Sequence, residues 1–322
     1  MKNSDKIFVA GHDGMVGSAI VRKLRAKGHH DNVFTVPHED VDLTRQDQTE
    51  DLFERLKPDI VVNCAAKVGG IHANNTYRAE FIYENLQIQS NIVHSSYKAG
   101  VEKLLFLGSS CIYPKFADQP IKEEYLLSSP LEDTNEPYAI AKIAGVKMCE
   151  SYNRQHGCNF VSVMPTNLYG PYDNYHPENS HVFPAFIRRF HEAYVYNSKN
   201  VKCWGTGRAK REFLHVDELA DACFFILENV NAEDLSRQGI SHLNIGTGQD
   251  ISLHDLAYLI ADASKYEGAI TFDLDKPDGT LRKLLDVSRL KDLGWTNKTS
   301  LIDGIISTCE WYKENKDTWK KI

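Results

Sequence analysis

Tyr138-Ala-Ile-Ala-Lys142 sets a phenol and an amine four residues apart. On a helix that spacing stacks both side chains on one face. An ammonium beside a phenol favours the tyrosinate, so Lys142 is expected to pull a phenol with an ordinary pKa of about 10 toward working pH. A tyrosine tuned in this way can protonate a carbonyl oxygen while hydride reaches the carbon. Leu107-Gly108-Ser109-Ser110-Cys111 supplies a second group, the Ser109 hydroxyl, to hold the same oxygen. Taken singly, each has a plainer reading. Y-x-x-x-K also describes a surface helix pair, and a loop serine serves turns.

Hydride chemistry needs a carrier, and the N-terminus offers a place for one. Gly11, Gly14 and Gly17 follow the apolar run Ile7–Ala10 and open a helical stretch. Glycine there lets the backbone turn tightly and approach a pyrophosphate, while the helix N-terminus offers free N–H groups and a partial positive charge. Three glycines alone could be a tight turn; the strand before them and the helix after them point to a dinucleotide site. Asp42 lies beyond the second apolar run and can accept from the adenine amine, although turns also favour Asp. A 2′-phosphate usually meets an arginine in the glycine turn or after the second strand. Asp13 and His38 stand there instead, so these residues leave NAD open beside NADP.

The elements that must position these groups can be read from hydrophobic periodicity. Lys6–Ala10, Asn32–Val36, Asp59–Asn63, Lys103–Leu107 and Phe160–Met164 read as buried strands, with helical patterns at Val16–Lys27, Phe81–Ala99 and Tyr138–Gln155. This alternation predicts an α/β fold, a Rossmann-type doubly wound parallel sheet. Beyond about Pro171 the rhythm loosens, with a strand at His242–Ile245 and a closing helix at Leu301–Tyr312. Residues 1–170 are therefore expected to form mainly the dinucleotide-binding Rossmann domain. Residues 171–322 form mainly a smaller C-terminal α/β substrate-binding region, with some segments returning to the main sheet.

Composition removes other classes. A formal charge of −7 argues against general affinity for nucleic acid, which needs clustered Lys and Arg to displace counterions. No stretch approaches the roughly 20 apolar residues of a membrane helix, and the start lacks a signal-peptide layout. The seven cysteines form no C-x-x-C pair, which predicts neither disulfides nor a metal site and fits a reducing cytoplasm.

With the glycine turn and the Ser109/Tyr138/Lys142 set, the chain resembles extended short-chain dehydrogenase/reductases. Ala65-Ala-Lys-Val-Gly-Gly-Ile71, Cys111-Ile-Tyr-Pro114, Asn135-Glu-Pro-Tyr138, Pro165-Thr-Asn-Leu-Tyr-Gly-Pro171, Asn179-Ser-His181 and Arg211-Glu-Phe-Leu-His215 narrow the resemblance to the GDP-L-fucose synthase family. It runs from about Lys6 to the C-terminus.

The resemblance implies NADPH, a homodimer and a GDP-linked 4-keto-6-deoxy sugar, epimerised at C3 and C5 and reduced at C4. A C4 ketone acidifies both neighbouring C–H bonds because the carbanion delocalises as an enolate. Each inversion then needs a base on one face and an acid on the other. The resemblance assigns Cys111 as base and His181 as acid, although a lone Cys is more often a buried hydrophobe. It assigns cofactor contacts to Gly11, His12, Asp13, Gly14, Met15, Val16, Gly17, His38, Asp42, Leu43, Leu107, Gly108, Lys142, Pro165, Thr166, Asn167, Leu168 and His181. It assigns substrate contacts to Arg189, Trp204, Arg211, Asp278 and Lys283, where arginine suits a diphosphate. Two other readings stay open: a relative acting on another GDP-4-keto sugar such as a 6-deoxy-heptose, and a non-catalytic dinucleotide sensor.

Overall fold

The computed structural model describes residues 1–276 and 279–317. Its strands, in chain order, are β1 (Ile7–Ala10), β2 (Val33–Phe34), β3 (Ile60–Asn63), β4 (Lys103–Leu107), β5 (Phe160–Pro165) and β6 (Asn167–Tyr169). There follow β7 (Asn200–Trp204), β8 (Lys210–His215), β9 (His242–Ile245), β10 (Asp250–Ser252), β11 (Ala269–Asp273) and β12 (Arg282–Lys283).

Six strands form a parallel sheet in the order β2-β1-β3-β4-β5-β9. Two-residue alternation sends the side chains of each strand to opposite faces. Ile7, Val9, Ile60, Val62, Leu105 and Val161 pack on one face with Leu24 and Leu219, from the Met15–Ala26 and Val216–Asn229 helices. Phe8, Val61, Leu104, Phe106 and Phe160 pack on the other with Ile92 and Val146, from the Arg78–Lys98 and Glu136–His156 helices. Burying such a side chain contributes roughly 1.5–3 kcal/mol each, so both faces are committed to the core.

Local chemistry sets the helix ends. The Arg78–Lys98 helix has no Pro or Gly to interrupt it and stops at Gly100, whose φ of 72° permits the left-handed turn. There the Val101 N–H donates to Ser96 O at 2.9 Å. The Glu136–His156 helix carries Pro137 in its first turn, where no partner for an N–H is needed. A Cβ on its Gly145 would stand 2.3 Å from the Phe106 ring, so glycine lets this helix lie close on β4.

β2 is shorter than the periodicity predicts, Val33–Phe34 rather than Asn32–Val36. It is the sheet's edge, paired only with β1, and Pro37 removes an N–H just beyond it. The remaining strands form two small sheets. β8 pairs with β10, β12 and β6, and β7 pairs with β11. A third core joins them to the Val182–Val195, Leu253–Ala263 and Leu301–Asn315 helices through Phe183, Phe190, Leu256 and Ile305. No helix among the described residues is long and apolar enough to cross a membrane.

Candidate active site

The glycine turn lies where β1 ends. Gly11 has φ 75°, and a Cβ there would meet Ala65 N at 2.7 Å. A Cβ on Gly17 would stand 2.0 Å from Gly11 O, so neither position accepts a side chain. Gly14 is different: its Cβ would make only ordinary contact, at 3.6 Å from Gly11 O. Its place is the N-cap of the Met15–Ala26 helix, which has no side-chain cap and no acidic residue in its first turn. Open N–H groups and the helix dipole are thus left facing the turn. His12 Nδ1 is buried there without a hydrogen-bond partner, while Met15 and Val16 pack half-buried against the core. A dinucleotide pyrophosphate fits this cradle.

The adenosine end is less basic. Because β1 and β2 are neighbours, the turn after one lies beside the segment after the other. Asp13, His38, Glu39 and Asp40 are all exposed there. Asp42 Oδ1 accepts from the Thr44 N–H at 2.9 Å and the Thr44 hydroxyl at 2.7 Å. Partial burial works against its charge, but these bonds outweigh it and hold the carboxyl below its usual range. Arg45 is turned to Asp47, at 3.3 Å. Leu43 is half-buried against the core. Of the residues exposed there, His38 could donate a hydrogen bond to a 2′-phosphate, whereas the Asp13 carboxylate would repel one. An Asp13→Arg variant is therefore expected to bind NADPH at least about tenfold more tightly, since a charge-assisted hydrogen bond is worth about 1.5–3 kcal/mol. Titration with both reduced cofactors checks this: NADH affinity should stay put, and an equal gain for NADH would contradict the assignment.

The chemistry collects where β4 and β5 end. Gly108 N–H donates to Val163 O at 2.8 Å, keeping the end of β4 in register. Ser109 follows in extended conformation and caps the single turn Ser110–Ile112, its Oγ accepting from the Cys111 N–H at 3.4 Å. The Ser109 side chain lies close enough to Tyr138 to favour its ionised form. Tyr138 stands in the first turn of the Glu136–His156 helix, held edge-on by Phe81 at 6.3 Å between ring centroids. Lys142 Nζ donates to Leu107 O at 2.8 Å and lies 5.8 Å from the Tyr138 ring centroid.

That placement corrects one expectation. Burial, and then Cys111, push the Tyr138 phenol above its ordinary pKa, against the opposing effect of Ser109. Lys142 Nζ donates to Leu107 O and stands 5.8 Å from the ring centroid, and burial of the phenol outweighs any pull from there. Burial pulls Lys142 itself down to about 8, opposed by Cys111 and Cys64. At neutral pH Tyr138 is a fully protonated donor.

Burial likewise raises the Cys111 thiol, countered by Lys283, the Ser109 bond and Lys142. His181 is the N-cap of the Val182–Val195 helix. Protein walls it closely, yet it remains open to solvent. Burial, then Lys283, lowers its pKa. The loop bearing it is tied to the Ala65–Ile71 segment by Gly70 N–H donating to Asn179 O at 3.2 Å. That segment is fastened in turn to the Arg78–Lys98 helix by Lys67–Glu84 at 2.6 Å. Ser109, Cys111, Tyr138, Lys142, Lys283 and His181 are therefore brought together.

The other candidates sit at the ends of β5 and β7, in β6 and β8, and on the Val182–Val195 helix. Pro165 ends β5, and Thr166 N–H donates to Ile245 O at 2.9 Å. Asn167 Nδ2 donates to Glu212 O at 2.8 Å, with Leu168 beside it in β6. Arg211 stands opposite Lys283 across β8 and β12. Arg189 lies 5.6 Å from the Trp204 ring centroid, and Trp204 is 56% exposed at the end of β7. Lys276, which the sequence reading passed over, also stands 5.4 Å from that ring. Asp278 lies outside the described residues.

The chain matches the model of the NAD dependent epimerase/dehydratase family over residues 7–246. It is 58% identical over 312 residues to GDP-L-fucose synthase 1 of Arabidopsis thaliana, covering 97% of this chain and 94% of that protein. It is 52% identical over 320 residues to the GDP-L-fucose synthase of Escherichia coli (strain K12), with 99% of each covered. Among solved structures, a GDP-L-fucose synthetase from Naegleria fowleri bound to NADP aligns with a TM-score of 0.88 at 27% identity, covering 99% of this chain and 97% of that one.

Proposed function

We propose, for a chain that belongs to the NAD dependent epimerase/dehydratase family and to the GDP-L-fucose synthases within it, the conversion of GDP-4-keto-6-deoxy-D-mannose to GDP-L-fucose. It is an NADP-dependent enzyme that epimerises C3 and C5 and reduces C4. What supports this reading is the convergence of a hydroxyl pair for a carbonyl, Ser109 and Tyr138, with a thiol and an imidazole for C–H chemistry, Cys111 and His181, that both feel the charge of Lys283.

The cofactor, when bound, supplies the hydride for C4. Ser109 and Tyr138 hold the C4 oxygen by hydrogen bonds, which stabilises the negative charge developing there. Cys111 takes the proton from the ring carbon, and His181 returns one to the opposite face. A thiol pushed up makes a strong base once ionised, and an imidazolium pushed down is a strong acid once formed; Lys283 favours the first and disfavours the charge on the second. After both inversions Tyr138, still protonated, gives its proton to the C4 oxygen as hydride arrives. Lys142 then sits where it can hold Tyr138 and the cofactor ribose together. Arg189, Arg211 and Trp204 take the GDP portion.

Residues 1–170 mainly hold the cofactor and residues 171–322 mainly the sugar nucleotide. Seven unpaired cysteines support a reducing, cytoplasmic setting. The mutually packed Arg78–Lys98 and Glu136–His156 helices leave Tyr83 62% and Ile140 39% exposed, which supports a four-helix homodimer contact. Sedimentation at micromolar concentration should show a dimer, and a monomer would remove that part. For the reaction, purified protein given NADPH and GDP-4-keto-6-deoxy-D-mannose should yield GDP-L-fucose by NMR. Turnover only with a 6-deoxy-heptose counterpart would refute the substrate.

A further inference from the structure

Glu212 is a carboxylate in the wrong place for a surface charge. It is 0% exposed, in β8, beside Arg211. Burial raises its pKa, and hydrogen bonds from Leu285, Gly248, Thr166 and Thr247 stand against that burial. Oε1 accepts from Thr247 N–H at 2.6 Å, Gly248 N–H at 2.7 Å and the Thr247 hydroxyl at 3.4 Å. Oε2 accepts from Leu285 N–H at 3.0 Å. The chain makes room for it: a Cβ on Gly246 would stand 2.3 Å from Oε1. One side chain thus joins β8, the turn after β9 and the segment just beyond β12.

A buried anion is costly, and an apolar side chain of similar volume would hold a core as well or better. What the carboxylate adds is direction. β12 is only two residues long, pairing Arg282 with Lys210 and Lys283 with Arg211. So short a ladder fixes its strand weakly, and Lys283 on it is a cation whose charge acts on both Cys111 and His181. Leu285, two residues on, is where Glu212 takes hold. Ile121 N–H donating to Leu284 O at 2.8 Å secures the outer side.

We propose that Glu212 is a positioning residue for the epimerisation: by gripping Leu285 N–H and the Thr247–Gly248 turn at once, it sets β12 in register and so fixes where Lys283 presents its charge to Cys111 and His181. This rests on the reading of that pocket given above. Glu212→Gln keeps the shape but has one acceptor oxygen where two are used, so the turn or Leu285 N–H must face an amide NH2.

The test is steady-state kinetics on Glu212→Gln, Lys283→Met and the double variant, with NADPH binding followed separately by titration. Glu212→Gln should lower kcat/KM for GDP-4-keto-6-deoxy-D-mannose at least tenfold, with NADPH affinity within twofold of the parent. Glu212→Asp, with both oxygens on a shorter arm, should fall between. On the Lys283→Met background the added Glu212→Gln should cost less than twofold, because the group it positions is already gone. A full tenfold cost on that background, or parallel loss of NADPH binding, overturns the proposal. So does a silent Glu212→Gln while Lys283→Met is impaired. Unchanged turnover in Lys283→Met overturns the reading of Lys283 itself, and the proposal with it. If Glu212→Gln does not fold, Glu212→Asp decides by the same additivity.

Discussion

Replacing Tyr138 with phenylalanine is expected to slow C4 reduction by about a thousandfold, the middle of the range for losing a positioned proton donor. The ring, its edge-on contact with Phe81 and its place on the helix all survive, so the loss is confined to the hydroxyl. Ser109 keeps one hydrogen bond to the C4 oxygen, but nothing replaces the proton. Cofactor titration should give an affinity within about threefold of the parent, since the glycine cradle and Lys142 on Leu107 O are untouched. The protonated phenol also has a consequence for pH. Because burial raises its pKa, deprotonation of Tyr138 should not limit the rate anywhere below its ordinary value. Single-turnover measurement of NADPH oxidation decides the first point. A Tyr138→Phe variant oxidising NADPH at the parent rate would remove Tyr138 as the donor.

Cys111→Ser is expected to lower solvent-deuterium exchange at C3 and C5 by about a hundredfold or more, while leaving the carbonyl-holding pair intact. A serine hydroxyl is a far weaker acid than a thiol, so its basic form is almost never populated, and Lys283 cannot make up the difference. The backbone bond from the Cys111 N–H to Ser109 does not depend on the sulfur, so Ser109 stays in place. Reduction and epimerisation should therefore separate in this variant. Exchange at both carbons at the parent rate would show that another group takes the proton.

Much of the site was legible because its chemistry is written in local spacing. Gly17 is required by a contact with Gly11 O inside one turn, Gly11 by its φ of 75°, and Tyr138 and Lys142 are set by one helical step. The parallel sheet followed from alternating apolar runs, although β2 lost residues to its edge position and Pro37. What stayed hidden depends on partners far along the chain. Glu212 looks like one more charge beside Arg211 until Thr247, Gly248 and Leu285 close on it. Lys276 meets Trp204 only because β7 and β11 pair. The sign of the Tyr138 shift was misread for a similar reason. Spacing says that Lys142 shares its face, but only the fold shows the ammonium fastened to Leu107 O and the phenol buried.

The central claim is that one pocket both inverts two carbons and reduces a third. The direct measurement is conversion of GDP-4-keto-6-deoxy-D-mannose in D2O with unlabelled NADPH, followed by NMR of the product. GDP-L-fucose carrying deuterium at C3 and C5 and protium at C4 is the predicted result. Reduction at C4 with no deuterium at either neighbour, or exchange at C3 and C5 with no reduction, would contradict it.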